Sequence, residues 1–349
     1  MLVYWAIFLI LAAGALLNRR DDAGRSRPAF IALASIPTAL MIGLRWKIGP
    51  DWGGYSIVFN YTRLFSFQQS YTHSDPGFFT LIWAIHRVGA PFWVLNMICG
   101  LVFVAGLTAF ARRQPNPWLT YLIAFPYMVI VVAMSADRQS FALGLLFFAL
   151  NAFERGQLLR FSLLILIGAL IHGSVVLMAP LCLLSSTKNG LQRAALLIGG
   201  AVLAYYFSRD AFTIYAYRYS TETLQSTGTA YRLAMNSLAA VSFLMFQRRF
   251  RMEEHQALLW RNISLCTLAL IPALVVFPSS TAIDRFLLYL FPLQFVVLSR
   301  LPEALAEERQ TSGQWTMLVI GYAALVQIVF LMVGKFSSYY IPYRSLLNG

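Results

Sequence analysis

Charge, histidine and glycine are scarce in this sequence, and where they gather their spacing invites chemistry. Arg45-Trp46-Lys47-Ile48-Gly49-Pro50-Asp51-Trp52-Gly53-Gly54-Tyr55 holds two cations, a carboxylate and three glycines in eleven residues. Glycine and proline let the chain turn sharply, and charge beside a long apolar stretch needs a partner. Either Arg45 and Lys47 snorkel and pair with Asp51, or Arg45 holds a phosphate while Asp51 acts as a general base or sugar ligand. In His73-Ser74-Asp75-Pro76-Gly77-Phe78, Asp75 stands at a helix N-cap with Pro76 at the first helical position. That is an ordinary helix start, and it also holds a carboxylate rigid.

Three further groups lie downstream. Ser135-Ala136-Asp137-Arg138-Gln139 joins two apolar stretches with almost no loop, which fixes Arg138 at a boundary, where an arginine commonly meets lipid headgroups. His172-Gly173-Ser174 interrupts the apolar run from Leu163 to Leu184. A break there leaves backbone groups that must face protein or a water-filled cavity; a buried histidine bonded to a neighbouring helix is the alternative. Asp284-Arg285 opens another apolar run, with Tyr289 one turn after Arg285 on the same face. Asp284 suits a helix N-terminus, whereas Arg285 does not and calls for an anionic partner. The tail Tyr339-Tyr340-Ile341-Pro342-Tyr343-Arg344 adds aromatics and a cation.

The elements that must position these residues are membrane helices. The 349 residues are 59% hydrophobic and 12% charged, too few charges to coat a soluble domain. Leu2 to Leu17, Phe30 to Leu44, Pro91 to Phe110, Trp118 to Met134 and Trp315 to Val333 are apolar runs, mostly long enough for ~30 Å of hydrocarbon at ~1.5 Å per residue. The expectation is an all-α polytopic transmembrane bundle of about ten or more spans, a single integral membrane domain over residues 1–349. Phe78 to Val88 is too short to cross and reads as an interfacial or re-entrant helix. Leu2–Leu17 lacks a basic region before it and a small-residue cleavage site after it, so it reads as a retained span. Cys99, Cys182 and Cys266 lie singly in apolar runs, as small core hydrophobes do.

The net charge of +13 comes from scattered short loops rather than from a stripe on a soluble face, which argues against nucleic acid. Read as topology, the loop with Arg19, Arg20, Arg25 and Arg27 is cytoplasmic and the N-terminus outside. With Leu163–Leu184 broken into two half-helices, the cytoplasmic loops also take Arg112, Arg113, Arg155, Arg160, Lys188, Arg193, Arg248, Arg249, Arg251, Arg300 and Arg309. That makes 15 of the 27 Lys and Arg; 11 lie outside, among them Arg45, Arg138 and Arg285, and Arg261 sits within an apolar stretch. The outer loop from Tyr205 to Tyr231, rich in aromatics, is an interfacial belt or a platform for sugar rings. No zinc-type histidine pair, Walker loop or Gly-x-Ser-x-Gly elbow is present, and the four histidines are too dispersed for a metal cluster.

Taken in order, Arg45…Gly49-x-Asp51…Tyr55, Asp75-Pro76-Gly77, Arg138-Gln139, His172-x-Ser174 and Arg285 resemble the EpsG family of Wzy-like exopolysaccharide polymerases. The resemblance covers nearly the whole chain, though aspartate stands before Pro-Gly where glutamate is often expected. It implies a membrane glycosyltransferase of the GT-C-like class in the bacterial inner membrane, facing the periplasm or exterior. Such an enzyme moves a growing glycan from an undecaprenyl diphosphate carrier onto an incoming lipid-linked repeat unit, alongside flippase and chain-length regulator proteins. It further implies Arg138, Arg285 and Arg45 as diphosphate ligands and Asp51 or His172 as base. Asp75 would hold the first loop or a sugar, and Tyr55, Gln139, Ser174 and Tyr289 would line the substrate site. No cofactor or metal is expected, since arginines can neutralise the phosphates.

Two other classes share parts of this pattern. A transporter or flippase of lipid-linked oligosaccharide would carry its cations to the bilayer midplane, whereas the acidic residues here sit at helix ends or in loops. An acyltransferase modifying surface sugars would centre on a histidine within a span, a role for which His172 is the one suitable residue.

Overall fold

The computed structural model describes residues 1–18, 31–186, 198–199, 228–276, 280–306 and 309–347. The cationic loop at Arg19 to Arg27, Lys188 and Arg193, and most of the aromatic loop from Tyr205 lie outside the described residues. Described helices are α1 (Leu2–Leu17), α2 (Ile31–Gly43), α3 (Trp52–Tyr61), α4 (Phe67–Tyr71), α5 (Pro76–Arg87), α6 (Phe92–Ala111) and α7 (Pro117–Ala124). They continue with α8 (Asp137–Glu154), α9 (Leu158–Ile171), α10 (Met178–Ser186), α11 (Thr229–Phe246), α12 (Glu254–Val276), α13 (Ser280–Leu290), α14 (Pro292–Leu305) and α15 (Arg309–Val333). No strand occurs among the described residues.

Among the described residues, four stretches are long and apolar enough to span a bilayer: Phe92–Ala111, Glu254–Val276, Ile283–Leu305 and Ser312–Val333. Five more apolar helices of 10–17 residues accompany them, and the chain is an integral membrane protein. Two sequence expectations recur in the backbone. Helix α5 has 12 residues, about 18 Å of rise, too little to cross. The run from Leu163 to Leu184 is interrupted: α9 stops at Ile171, His172 is extended (φ −156°, ψ 106°), and a short 3₁₀ turn leads into α10. After α7 the chain passes into nine residues of π-helix, Phe125–Ala133. Pro126, which has no N–H to give, sits where the α-ladder gives way.

Glycines set how closely the central helices meet. A Cβ on Gly106 of α6 would lie 2.2 Å from the Gly144 carbonyl of α8, and one on Gly144 would lie 2.5 Å from the Val102 carbonyl. The two backbones therefore touch, as small-residue contacts allow in membranes. Both helices run the same way, since Arg113 just after α6 pairs with Glu154 at the end of α8 at 3.3 Å. Arg300 donates to Gln114 at that same end. Arg138 lies at the other end of α8, about 24 Å away by helical rise. The cations expected on opposite membrane sides thus separate to opposite ends of one helix. Cys99 and Cys182 are buried and Cys266 partly so, all three as free thiols.

Candidate active site

At the Arg138 end, a second small core gathers Phe59, Phe78, Phe79, Ile82, Ile85, Leu95, Cys99 and Ile171. It pins α3 and α5 against the start of α6 and the end of α9, and the reactive side chains ring it.

Arg45 is placed differently from expectation. Its guanidinium is fully buried and donates to Asp137 Oδ1 at 2.6 Å, Asn96 Oδ1 at 3.4 Å and the Ile42 carbonyl at 2.8 Å. Paired with a buried carboxylate, Arg45 braces α2 against α6 and α8, and its Nε is left without a hydrogen-bond partner. Nor does either neighbouring cation pair with Asp51: Lys47 Nζ lies 5.8 Å from the centroid of the Trp46 ring. Asp51 Oδ2 instead accepts from Ser135 Oγ at 2.8 Å, in the turn that leads into α8. Gly49 makes this approach feasible, with φ +88° and its missing Cβ 2.4 Å from the Met134 carbonyl. Trp52, edge-on to Trp46 at 5.2 Å and to Phe92 at 5.5 Å, fixes the loop to α6.

Arg138 is the hub. Its Nη1 donates to Asp75 Oδ2 at 2.5 Å, and its backbone N and Nε donate to the Tyr55 hydroxyl at 3.4 and 3.5 Å. The guanidinium also lies 5.7 Å from the Tyr55 ring centroid and 5.8 Å from that of Phe78, and a third of its side chain is exposed. Asp75 occupies the N-cap of α5 with Pro76 next, yet its carboxylate makes no cap and is turned to Arg138. Burial pushes the Tyr55 hydroxyl up to about 12, against the lowering influence of Arg138. It therefore keeps its proton while its oxygen accepts from Arg138, so the O–H remains a donor. Gln139 follows Arg138 on α8 and is half-buried.

Gly77 brings the broken segment to this hub. A Cβ there would lie 3.0 Å from the Leu170 carbonyl and 3.1 Å from Ile171 Cδ1, so the start of α5 rests on the end of α9. His172 follows directly; its Nε2 is 3.0 Å from Ser174 Oγ, and its buried Nδ1 has no partner. Both Arg138 and Arg285 act electrostatically on its ring. On α13 Tyr289 is fully buried, with its hydroxyl near that of Ser174 but not hydrogen-bonded, and the charges of Arg285 and Asp75 act on it. The structure thus gathers Tyr55, Asp75, Arg138, His172, Ser174, Arg285 and Tyr289 from five separate segments, with Asp51 one helical turn before Tyr55.

Three features were not foreseen. Asp137 is the buried partner of Arg45, and an acid at the first turn of a span beside an unmatched arginine was the available signal. Arg232 Nε donates to Asp284 Oδ1 at 2.5 Å and its guanidinium lies 5.8 Å from the Tyr127 ring, adding a cation next to Arg285. The C-terminal tail is laced to the first loop: Trp46 N donates to the Arg344 carbonyl at 3.0 Å, Leu346 N to Leu44 at 2.9 Å and Gly49 N to Tyr339 at 3.1 Å. Nothing in hydropathy marks that pairing. Among the described residues, no three His, Cys, Asp or Glu side chains are grouped as a metal site requires.

Neither a curated protein nor a solved structure matches the chain. The EpsG family model matches residues 29–345, which take in every residue of this cluster and the laced tail as far as Ser345; the chain belongs to the EpsG family.

Proposed function

We propose that the protein is a polysaccharide polymerase of the inner membrane, working at its outer face on lipid diphosphate-linked repeat units. The observation that carries this reading is the Asp75–Arg138–Tyr55 cluster at the start of α8, with Arg138 still a third exposed and with His172 near enough to feel the charge of both Arg138 and Arg285. Two guanidiniums acting on one region suit a diphosphate, whose oxygens accept from planar N–H forks. Membership of a family with polymerase-like activity on membrane-borne saccharides supports the same conclusion.

In the proposed transfer, an acceptor hydroxyl of the incoming unit attacks the anomeric carbon that links the growing chain to its carrier. The new C–O bond forms as the bond to diphosphate oxygen breaks, and polyprenyl diphosphate departs with the electron pair. Arg138 and Arg285 stabilise the charge that develops on the leaving oxygens. The acceptor's proton passes to Asp51 or His172, which differ in surroundings: Asp51 is exposed and anchored by Ser135, whereas His172 is half-buried and feels the charge of both arginines. Tyr55 and Asp75 hold Arg138 in place, while Gln139, Ser174 and Tyr289 line the site.

The test is purified protein with lipid-linked repeat units, with and without chelator. Wild type should build a ladder of products in both conditions, and Arg138→Ala and Arg285→Ala should each leave single repeats on the carrier. Ladders of normal length from both variants would remove the diphosphate assignment. Repeats trapped on the inner face in cells carrying either variant would point to a flippase instead.

A further inference from the structure

The residues between Ser66 and Asp75 bear side chains that the transfer does not use. Helix α4 is closed at its start by a reciprocal cap: Gln69 N donates to Ser66 Oγ at 3.2 Å, and Ser66 N donates to Gln69 Oε1 at 2.8 Å. On this small helix Phe67 and Tyr71 stack one turn apart, 6.2 Å between centroids with planes 15° apart, and remain 53% and 61% exposed. Trp83 of α5 meets Phe67 edge-on at 5.2 Å, and Arg87 lies 5.5 Å from the Trp83 centroid, so the pair is braced from behind. Exposed Gln68 and Thr72 flank the rings, and Ser66 to Ser74 contains no Asp, Glu, Lys or Arg.

Ring faces set among amides and hydroxyls, without formal charge, match one class of ligand. A pyranose presents an apolar C–H face to an aromatic ring and hydroxyls at its edge to neutral hydrogen-bonding groups. A phosphate would require cations, which this segment lacks. A lipid-facing surface is found instead on the neighbouring stretch, where Ile57, Tyr61 and Leu64, spaced along one helical face, are 71%, 71% and 92% exposed. Tyr71 also lies four residues, and Phe67 eight, before Asp75, whose carboxylate holds Arg138.

We propose that Phe67 and Tyr71 form a sugar-stacking subsite that holds the uncharged part of the glycan as it leaves the Asp75–Arg138 centre. This rests on the transfer reading above, which brings a glycan to Asp75. The probe is the repeat-unit oligosaccharide freed from its lipid by mild acid, followed by saturation-transfer NMR on the full-length protein in detergent. Phe67→Ala/Tyr71→Ala should bind it roughly tenfold or more weaker than wild type, as loss of two stacked rings implies. The ring-preserving pair Phe67→Tyr/Tyr71→Phe should bind as wild type does, which separates stacking from a folding defect. Equal binding by the alanine pair, or no binding by wild type, overturns the subsite. So does quenching of Trp83 by brominated lipid that Phe67→Ala/Tyr71→Ala relieves, because those rings would then be a membrane contact. If wild type binds through these rings yet builds no ladder, the transfer reading fails and the subsite stands.

Discussion

Arg138 is held by three different interactions, and an arginine side chain makes its part of all three at once. Its Nη1 meets Asp75, its Nε and main-chain N reach Tyr55, and its plane lies near two aromatic rings. A lysine keeps the charge but has neither the fork nor the flat face. Arg138→Lys is therefore expected to lower the rate of chain extension roughly a hundredfold or more, the usual cost of losing an oriented donor to developing charge. Single-turnover transfer checks this, and a near-normal rate would reduce Arg138 to a point charge. His73 offers a second test. Its Nδ1 accepts from the Ser74 N–H at 2.9 Å, and the ring stacks on Phe79 with centroids 3.7 Å apart. Burial holds it below its ordinary value, outweighing the raising effect of Asp75. The unfolded chain then binds the proton more readily, so local stability is complete above the ordinary imidazole range and falls as pH drops through it. The protection factor of the Ser74 amide, taken relative to the intrinsic exchange rate at each pH, should fall on acidification below about pH 6.5, and His73→Gln should flatten that dependence.

At the scale of elements, the site depends on where α5 is allowed to sit. Gly77 touches the α9 backbone, and a methyl group there would lie 3.0 Å from the Leu170 carbonyl, which cannot yield as a flexible side chain would. Gly77→Ala should push α5 outward, separate Asp75 from His172 and depress transfer while most of the fold persists. Gly89→Ala is the control, since Gly89 has φ +69° but nothing within 4 Å of its missing Cβ. It should cost stability of about 1 kcal/mol through the backbone alone and leave transfer intact; equal activity loss in both would deny Gly77 a special role. Much of this layout was legible in the sequence. Apolar length separated the spans from the short α5, and His172-Gly173 marked the break in the α9 run, because glycine and a polar ring cannot continue a lipid-facing helix without partners. Asp75 was recognisable as a helix start but not as the partner of Arg138. Propensity describes a residue's own turn, whereas that ion pair bridges 63 positions. The partner of Arg45 was not legible for the same reason: its counter-charge, Asp137, lies 92 positions away.

For the whole molecule, the Arg45–Asp137 pair joins the end of α2, the start of α8 and, through Asn96, α6. The tail is bound to the same place by Trp46–Arg344 and Leu44–Leu346 backbone bonds, and the Tyr4 hydroxyl of α1 donates to the Tyr340 carbonyl at 2.8 Å. The tail thus ties α1 to the segment that carries Arg45 and leads to Asp51 and α3. Removing one partner strands a buried charge at a cost of roughly 3–5 kcal/mol, whereas removing both in favour of apolar groups of similar size is often neutral. Arg45→Met and Asp137→Leu should each lower thermal stability in detergent sharply, and the double variant should recover most of it. The same three proteins then separate scaffold from ligand. If Arg45 acts only by bracing helices, stability and transfer return together in Arg45→Met/Asp137→Leu. If its guanidinium grips the diphosphate, the double variant regains its melting temperature and still builds no chain.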